Sequence, residues 1–185
     1  SAPRNAKLGL EAARSRGGEP FTASELVSGD LAAHTHLTKG ASGKVAVLGG
    51  CAEYTGAPFY AALAALKTGA DLAHVFCQHE AAVPIKAYSP ELIVHGYLHA
   101  SPDVDPDAVQ RQASAVSRWF PALSALVVGP GLGRDETLRA VATEVLERAL
   151  DGGLPCVIDA DGLRLVQDRP KLVRGHPWAL LAPNA

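Results

Sequence analysis

The stretch Lys44-Val45-Ala46-Val47-Leu48-Gly49-Gly50 decides the fold class of this 185-residue sequence. Its four consecutive apolar residues, Val45 to Leu48, are typical of a strand that is buried on both faces, as in a parallel sheet. The glycine pair that follows predicts a tight turn at the carboxyl end of that strand. Further short apolar runs predict strands near Leu72 to Cys77, Leu92 to His95, Ala125 to Val128, Cys156 to Asp159 and Ala179 to Ala182.

Helical periodicity occurs between these runs. Phe59, Leu63 and Leu66 are spaced along one helix face, with Pro58 suited to the first turn and Gly69 to the C-terminal cap. A second helix is predicted to begin at Asp105-Pro106 and a third at Asp135. Their apolar faces comprise Val109, Ala113, Val116 and Phe120 in the second helix and Leu138, Val141, Val145 and Ala149 in the third. The alternation of strands and helices predicts an α/β fold with a doubly wound, mainly parallel sheet.

The composition is that of a globular protein, with 48% hydrophobic residues, 19% charged residues and a net charge of −2. A nearly neutral chain has no strong field to hold nucleic acid or an acidic membrane surface. No apolar run approaches the roughly 18 residues that a membrane-spanning helix needs. We therefore expect a small molecule or another protein as the partner, with no nucleic acid and no membrane.

Three cysteines, Cys51, Cys77 and Cys156, are too few and too widely spaced for a disulfide scaffold or a zinc knuckle. Reduced thiols are expected, which favours an intracellular protein in the cytoplasm or the mitochondrion. Cys51 follows the first glycine pair but has no histidine near it in the sequence. We interpret it as a small buried residue and not as a reactive thiol.

The chain divides into two parts. Residues 1–36 are interpreted as a leader or N-terminal helical segment, with a presequence remnant as the alternative. Residues 37–185 are interpreted as the N-terminal part of the α/β domain. The sequence contains no methionine and stops directly after a predicted strand, so we expect it to be a piece of a longer protein.

Residues that directly follow the predicted strands are the candidate functional residues, because parallel sheets bind ligands beyond the carboxyl ends of their strands. Four such segments are Gly49-Gly50, Gly129-Pro130-Gly131-Leu132-Gly133, Asp159-Ala160-Asp161 and Pro183-Asn184. We expect them to meet at one sheet edge and to outline one cleft. Glycine turns before helix N-termini are typical of sites for nucleotide-like or phosphorylated ligands, although turns without any ligand fit the pattern equally.

Several polar side chains have two interpretations. Asp159 and Asp161 can contact a metal-bound phosphate or activate a water, but for Asp161 the capping of the next helix is favoured. Two pairs of histidines are spaced so that each pair can share a metal ion. No third ligand accompanies either pair, so ordinary surface or core histidines are the favoured interpretation. The pairs are His34 with His36 and His95 with His99.

Several motifs, taken together and in this order, resemble one known family. They are Lys39-Gly40, Gly43 to Gly50, Tyr54 to Pro58, Gly69 to Leu72, Ser89 to Leu92, Val127 to Asp135, Val157 to Leu163 and Pro183-Asn184. From about Leu37 to Ala185 the sequence resembles the ATP-dependent NAD(P)H-hydrate dehydratases of the eukaryotic type. These are metabolite-repair enzymes of the ribokinase-like superfamily, so the resemblance implies a ribokinase-like α/β fold.

The resemblance also implies a reaction. Family members phosphorylate the C6 hydroxyl of hydrated NADH or NADPH (NADHX or NADPHX) with ATP and then eliminate the phosphate, which restores NAD(P)H. ATP and Mg²⁺ are the implied cofactors, a functional association with NAD(P)HX epimerase is implied, and a homo-oligomer is left open. Two alternatives remain: a ribokinase-like small-molecule kinase of the hydroxyethylthiazole or hydroxymethylpyrimidine type, and a non-catalytic nucleotide-binding module.

Site residues follow from the same resemblance. The implied substrate-binding residues are Tyr54, Ala57, Gly131, Gly133 and Asn184, and the implied cofactor-binding residues are Gly49, Gly50 and Asp159. Asn184 would begin the family's Asn-His-x-x-Glu segment. The catalytic aspartate of the family lies in a Gly-x-Gly-Asp motif that has no counterpart up to Ala185. No catalytic residue is therefore assigned, and the 185-residue segment alone is expected to be inactive.

One mutation separates a ligand-binding glycine from a glycine that only shapes a turn. If the backbone of Gly131 approaches the substrate, a side chain at this position would fill the substrate site. Gly131→Val in the full-length protein should then impair turnover of hydrated NAD(P)H much more than it lowers folding stability.

Overall fold

The computed structural model describes residues 42–183, in which strands and helices alternate. The strands are β1 (Lys44–Leu48), β2 (Leu72–Gln78), β3 (Ile93–Leu98), β4 (Ala125–Val128), β5 (Cys156–Asp159) and β6 (Ala179–Ala182). The helices are α1 (Gly56–Lys67), α2 (His79–Tyr88), α3 (Pro106–Ser117), α4 (Glu136–Asp151) and α5 (Gly162–Asp168), with 3₁₀ turns at Phe120–Ala122 and Pro170–Leu172. Within residues 42–183, no helix has the length and apolar character needed to cross a membrane.

The strands form one parallel sheet in the order β3-β2-β1-β4-β5-β6. Strand β1 pairs in parallel with both neighbours, and Val47 lies opposite Val75 on β2 and Val127 on β4. Ala46, Val47 and Leu48 are fully buried, so the predicted parallel strand with two buried faces is confirmed. The strand order reverses between β1 and β4, which is where open α/β sheets form a crevice at their carboxyl edge.

Helices cover both faces of this sheet. Val47 and Val75 belong to a core cluster on one face, together with Ala62 of α1 and Ile85 of α2. Leu48 points to the opposite face, because successive strand residues alternate. There it joins a larger cluster that includes the buried stripes of α3 and α4. The predicted apolar faces of α3 and α4 are therefore confirmed, except for the last predicted residue of the α3 face, which lies beyond the end of that helix.

The structure differs from the sequence prediction at three points. The pattern does not predict α2, whose ten residues include Pro84 and few large apolar side chains, so its helical periodicity is weak. Phe120 lies in a 3₁₀ turn and not in the second predicted helix, because α3 ends at Ser117. Strand β3 continues to Leu98, beyond the point where His95 and Gly96 interrupt the apolar run.

Candidate functional site

The two glycine segments after β1 and β4 meet at the carboxyl edge of the sheet. The Gly50 N–H donates to the carbonyl oxygen of Gly131 at 3.1 Å, and the Gly129 N–H donates to that of Leu48 at 2.9 Å. They meet because β1 and β4 are neighbouring parallel strands. We call Gly49, Gly50 and residues 129–133 the loop wall. The predicted convergence is observed for these segments, whereas Asn184 lies outside the described residues.

Close packing of backbone on backbone explains two glycines of the loop wall. A Cβ atom on Gly49 would lie 2.1 Å from the carbonyl oxygen of Pro130. A Cβ atom on Gly129 would lie 1.9 Å from the carbonyl oxygen of Asp159 and 2.3 Å from the backbone nitrogen of Gly162. No side chain fits at such distances. These contacts also place the β5 loop beside the loop wall, as the sequence predicts for Asp159.

Gly131 and Gly133 are explained by their backbone conformation together with close packing. Both have the left-handed backbone that favours glycine, with φ of +63° and +82°. A Cβ atom on Gly131 would lie 2.7 Å from the backbone oxygen of Tyr54, and one on Gly133 would lie 2.8 Å from Sγ of Cys51. The reasoning behind Gly131→Val is therefore corrected. A side chain there first meets the protein's own backbone, so the mutation must also lower folding stability.

Three backbone N–H groups of the loop wall donate hydrogen bonds within the protein. The Gly49 N–H donates to Phe76 O at 3.0 Å, the Gly50 N–H to Gly131 O, and the Gly133 N–H to Oδ2 of Asp161 at 2.9 Å. These groups are not free to bind a phosphate. The cofactor-binding role of Gly49 and Gly50 stays a prediction, without a free N–H at either glycine to support it.

The β5 loop supplies two carboxylates to the same edge. Oδ1 of Asp159 accepts a hydrogen bond from Ala160 N at 2.8 Å, and its side chain is partly exposed. Asp161 stands at the N-cap position of α5, but its side chain makes no capping hydrogen bond and accepts from Gly133 instead. The favoured capping interpretation is therefore wrong, because the neighbouring loop offers the nearer donor. Ala160, with φ of 46°, connects the two aspartates in a left-handed conformation that is strained for alanine.

A groove of about 420 Å³ opens beside the loop wall. Of the predicted substrate residues, Tyr54 and Gly133 line it. Ala57 is exposed on the first turn of α1 and Gly131 is buried, and neither contributes to the lining. The complete lining consists of Cys51, Ala52, Glu53, Tyr54, Gln78, Ala100, Leu132, Gly133, Arg134, Asp135 and Leu138. A cavity of about 460 Å³ lies at the opposite edge of the sheet, between the C-terminal ends of α4 and α5, and contains no residue that follows a strand.

Sequence reasoning missed Gln78, which anchors the groove. Its N–H donates to Gly50 O at 2.9 Å, and its side-chain oxygen accepts from Ala52 N at 2.9 Å. Gln78 is the last residue of β2, so the same carboxyl-edge rule that selected the glycines would have found it. Cys51 is 3% exposed, as predicted, and burial raises the pKa of its thiol, which donates to Glu53 at 3.2 Å.

Of the two predicted histidine pairs, the structure describes His95 and His99 and gives each of them a different partner. His34 and His36 lie outside the described residues. His95 pairs with His74, Nε2 to Nδ1 at 3.1 Å, and its other ring nitrogen lies 3.2 Å from the Tyr97 hydroxyl. His99 instead stacks on His79. Burial, together with the positive charges of His74, Lys86 and Arg118, lowers the pKa of His95 to about 4.

The described residues do not form a metal site of their own. Across residues 42–183, no three His, Cys, Asp or Glu side chains are grouped so that they could hold a metal ion. Asp159 and Asp161 provide two carboxylates at most, and one of these already accepts from Gly133. The residues present therefore do not by themselves fit a Mg²⁺ ion, and no chemical step is derived through one.

Comparison with known proteins identifies the family. The sequence matches the NAD(P)H-hydrate dehydratase family over residues 45–185. Curated relatives named ATP-dependent (S)-NAD(P)H-hydrate dehydratase include those of Bos taurus, 53% identical over 150 residues, and Vitis vinifera, 50% identical over 159 residues. The alignments cover 81% and 84% of this chain but 43% and 44% of the relatives, so the chain spans less than half the length of the relatives it matches.

A solved structure supports the same assignment at the level of the fold. A ribokinase-like superfamily protein of Enterococcus faecalis superimposes with a TM-score of 0.62 and 22% identity, over 80% of this chain and 48% of its own. The ribokinase-like fold that the sequence motifs imply is thus confirmed. From the sequence match and the fold together, this chain belongs to the NAD(P)H-hydrate dehydratase family.

Proposed function

We propose that the full-length protein restores NADH and NADPH from their hydrated forms by ATP-dependent dehydration, and that this chain supplies part of the substrate site. The observation that carries the proposal is the 53% identity to relatives with that name, over a region that includes the loop wall and the groove. ATP and Mg²⁺ are the proposed cofactors. We further propose functional association with NAD(P)HX epimerase and a cytoplasmic or mitochondrial location.

The proposed reaction has two balanced steps. ATP transfers its terminal phosphoryl group to the C6 hydroxyl of the hydrated nicotinamide, and ADP leaves. The C6–O bond then breaks with loss of the C5 proton, which releases phosphate and restores the C5–C6 double bond. Phosphorylation converts a poor leaving group into a good one, so catalysis rests mainly on positioning and on stabilisation of charge.

The described residues contribute positioning. Tyr54 presents an aromatic ring at the groove that is 57% exposed, and an aromatic ring is a suitable surface for a nicotinamide or adenine base. Gly133 forms part of the same lining, and its N–H donates a hydrogen bond to Asp161. We retain Gly131, Ala57 and Asn184 as proposed substrate residues and Gly49, Gly50 and Asp159 as proposed cofactor residues. No described residue is assigned as the general base.

The experiment uses full-length protein, hydrated NADH and ATP. Recovery of absorbance at 340 nm with stoichiometric release of phosphate is the expected result. A stable phosphorylated product would support the small-molecule kinase instead, and binding without turnover would support the non-catalytic module.

A matched pair of variants tests the groove. Tyr54→Ala should reduce kcat/KM for hydrated NADH about tenfold, in line with one lost aromatic contact of 1–2 kcal/mol. Tyr60→Ala removes a tyrosine that is 69% exposed on α1 and lies outside the groove lining, so it should leave kcat/KM unchanged. Equal effects of the two variants would exclude Tyr54 from the substrate site.

A further inference from the structure

A second, smaller pocket adjoins the groove. It has a volume of about 230 Å³ and shares Gly133 and Arg134 with the groove lining. Glu136, Arg139 and Arg164 complete its walls. Three guanidinium groups and one carboxylate therefore surround a cavity that opens beside the proposed substrate site. The lining carries a formal charge of +2, from three arginines and one glutamate.

The ion pairs in this pocket leave two of the arginines free. Nη1 of Arg139 donates to Glu136 at 2.8 Å, and its Nη2 pairs with Asp168, so the charge of Arg139 is already balanced. Arg134 and Arg164 are exposed, and within residues 42–183 neither guanidinium group has a hydrogen-bond or ion-pair partner. The excess positive charge of the pocket therefore resides on these two side chains.

The flanking carboxylates do not neutralise them by contact. Asp135 accepts a hydrogen bond from Leu138 N at 2.9 Å, where it caps α4. Asp161 accepts from the N–H of Gly133, a residue that lines both the pocket and the groove. Each carboxylate is thus held by a backbone donor, and the two guanidinium forks stay available to a ligand.

We propose that Arg134 and Arg164 bind a phosphate group of the dinucleotide while its nicotinamide or adenine part occupies the groove. Arginine suits this task because its planar fork donates two parallel hydrogen bonds to a phosphate. The N–H groups of Gly49, Gly50 and Gly133 do not serve this purpose, since they donate hydrogen bonds within the protein. The phosphate is either the 2′-phosphate that distinguishes NADPH from NADH or the pyrophosphate that both contain. This inference rests on the proposed function for the choice of a dinucleotide.

The test measures dissociation constants of full-length protein for NADPH and NADH by titration calorimetry. Arg134→Ala and Arg164→Ala should each weaken NADPH binding about tenfold, the usual effect of removing a hydrogen bond to a charged group. If NADH binding is weakened equally, the pocket holds the pyrophosphate; if only NADPH binding is weakened, it holds the 2′-phosphate. Both results support the proposal. Unchanged affinity of both variants for both dinucleotides overturns it.

Arg174→Ala is the matched control, because Arg174 is an exposed arginine in the segment that leads into β6, at the opposite edge of the sheet. Its affinity for both dinucleotides should equal that of the wild type. A thermal midpoint equal to that of the wild type shows that a variant is folded. If the midpoint of an alanine variant is lowered, the glutamine variant at the same position, Arg134→Gln or Arg164→Gln, replaces it.

A parallel titration with inorganic pyrophosphate separates this proposal from the proposed function. If the wild-type protein does not dehydrate hydrated NADH but binds pyrophosphate, and Arg134→Ala and Arg164→Ala lose that binding, the anion site stands and the assigned reaction fails. If the wild-type protein restores NADH but neither variant changes dinucleotide or pyrophosphate binding, the reaction stands and the anion site fails.

Discussion

The loop wall and the residues around its rim lie at the same sheet edge but differ in what they offer a ligand. The loop wall is buried, its glycines are packed closely against backbone or side chains, and the N–H groups of Gly49, Gly50, Gly129 and Gly133 bond within the protein. The rim, Tyr54, Arg134 and Arg164, consists of exposed side chains. The comparison indicates that the glycines fix the architecture of this edge, and we propose that recognition depends on the exposed side chains beside them.

Gly129→Ala is the most severe way to test the loop wall. Its Cβ atom would overlap the backbone of Asp159 and Gly162, and φ is +120°, so we expect a loss of about 4 kcal/mol or more in the free energy of unfolding. Gly153→Ala is the control, because Gly153 has φ of +72° but nothing within 4 Å of its added Cβ atom. It should cost only about 1–2 kcal/mol. Urea unfolding of the full-length protein measures both, and equal losses would contradict the packing argument.

Gly131→Val tests the part of the loop wall nearest Tyr54. We expect the free energy of unfolding to fall by about 2–3 kcal/mol, because the side chain must displace the backbone of Tyr54 and contact Pro58. Turnover should fall together with stability. An unchanged thermal midpoint combined with lost turnover would contradict the packing argument and leave only the proposed contact of Gly131 with the substrate.

Lowering the pH is a milder test of the loop wall, because it protonates histidines on and beside strand β2, which supports the loop wall. Strand β2 carries Phe76 and Gln78, which hold Gly49 and Gly50, and also His74, which is 4% exposed. Burial lowers the pKa of His74, with a contribution from the charge of Lys44, and the pKa of His95 falls to about 4. The unfolded chain therefore binds more protons than the folded chain between about pH 6.5 and pH 4.

Stability should consequently decrease as the pH falls through that window. The full shift of His95 would correspond to about 3 kcal/mol, and its partial exposure reduces the expected loss to about 1–2 kcal/mol. Urea unfolding at pH 7 and at pH 4.5 measures it. The double variant His74→Phe with His95→Phe should lose this part of the pH dependence, whereas an identical slope in the variant would refute the role of the pair.

The sequence predicted the sheet well, because strands buried on both faces produce apolar runs such as Val45 to Leu48. The stripes of α3 and α4 were equally clear, since both helices pack one face on the larger core cluster. Helix α2 could not be found, because Pro84 and the small residues Ala81 and Ala82 weaken its period. Its position depends on tertiary packing against the sheet, which a local pattern does not contain.

For the candidate site, the carboxyl-edge rule located the loop wall, but the sequence could not tell which neighbours each glycine meets. The closeness of Gly129 to Asp159 depends on β4 and β5 being adjacent in the sheet. Likewise, the bond between Asp161 and Gly133 joins residues 28 positions apart, so a local capping rule could not anticipate it. The pocket of Arg134 and Arg164 escaped notice for the same reason, since Arg164 follows the next strand along the chain and reaches Arg134 only in the folded sheet.

The hydrogen bonds of the loop wall also determine how slowly this edge opens. Loop amides usually exchange with solvent deuterium far faster than those of strands, because they open in small local fluctuations. The amides of Gly49, Gly50 and Gly129 are buried and bonded to the backbone of neighbouring strands or loops. They should therefore exchange as slowly as the central strands. A ligand that arrives at this edge meets a preformed surface, and any adjustment on binding falls to the side chains around it.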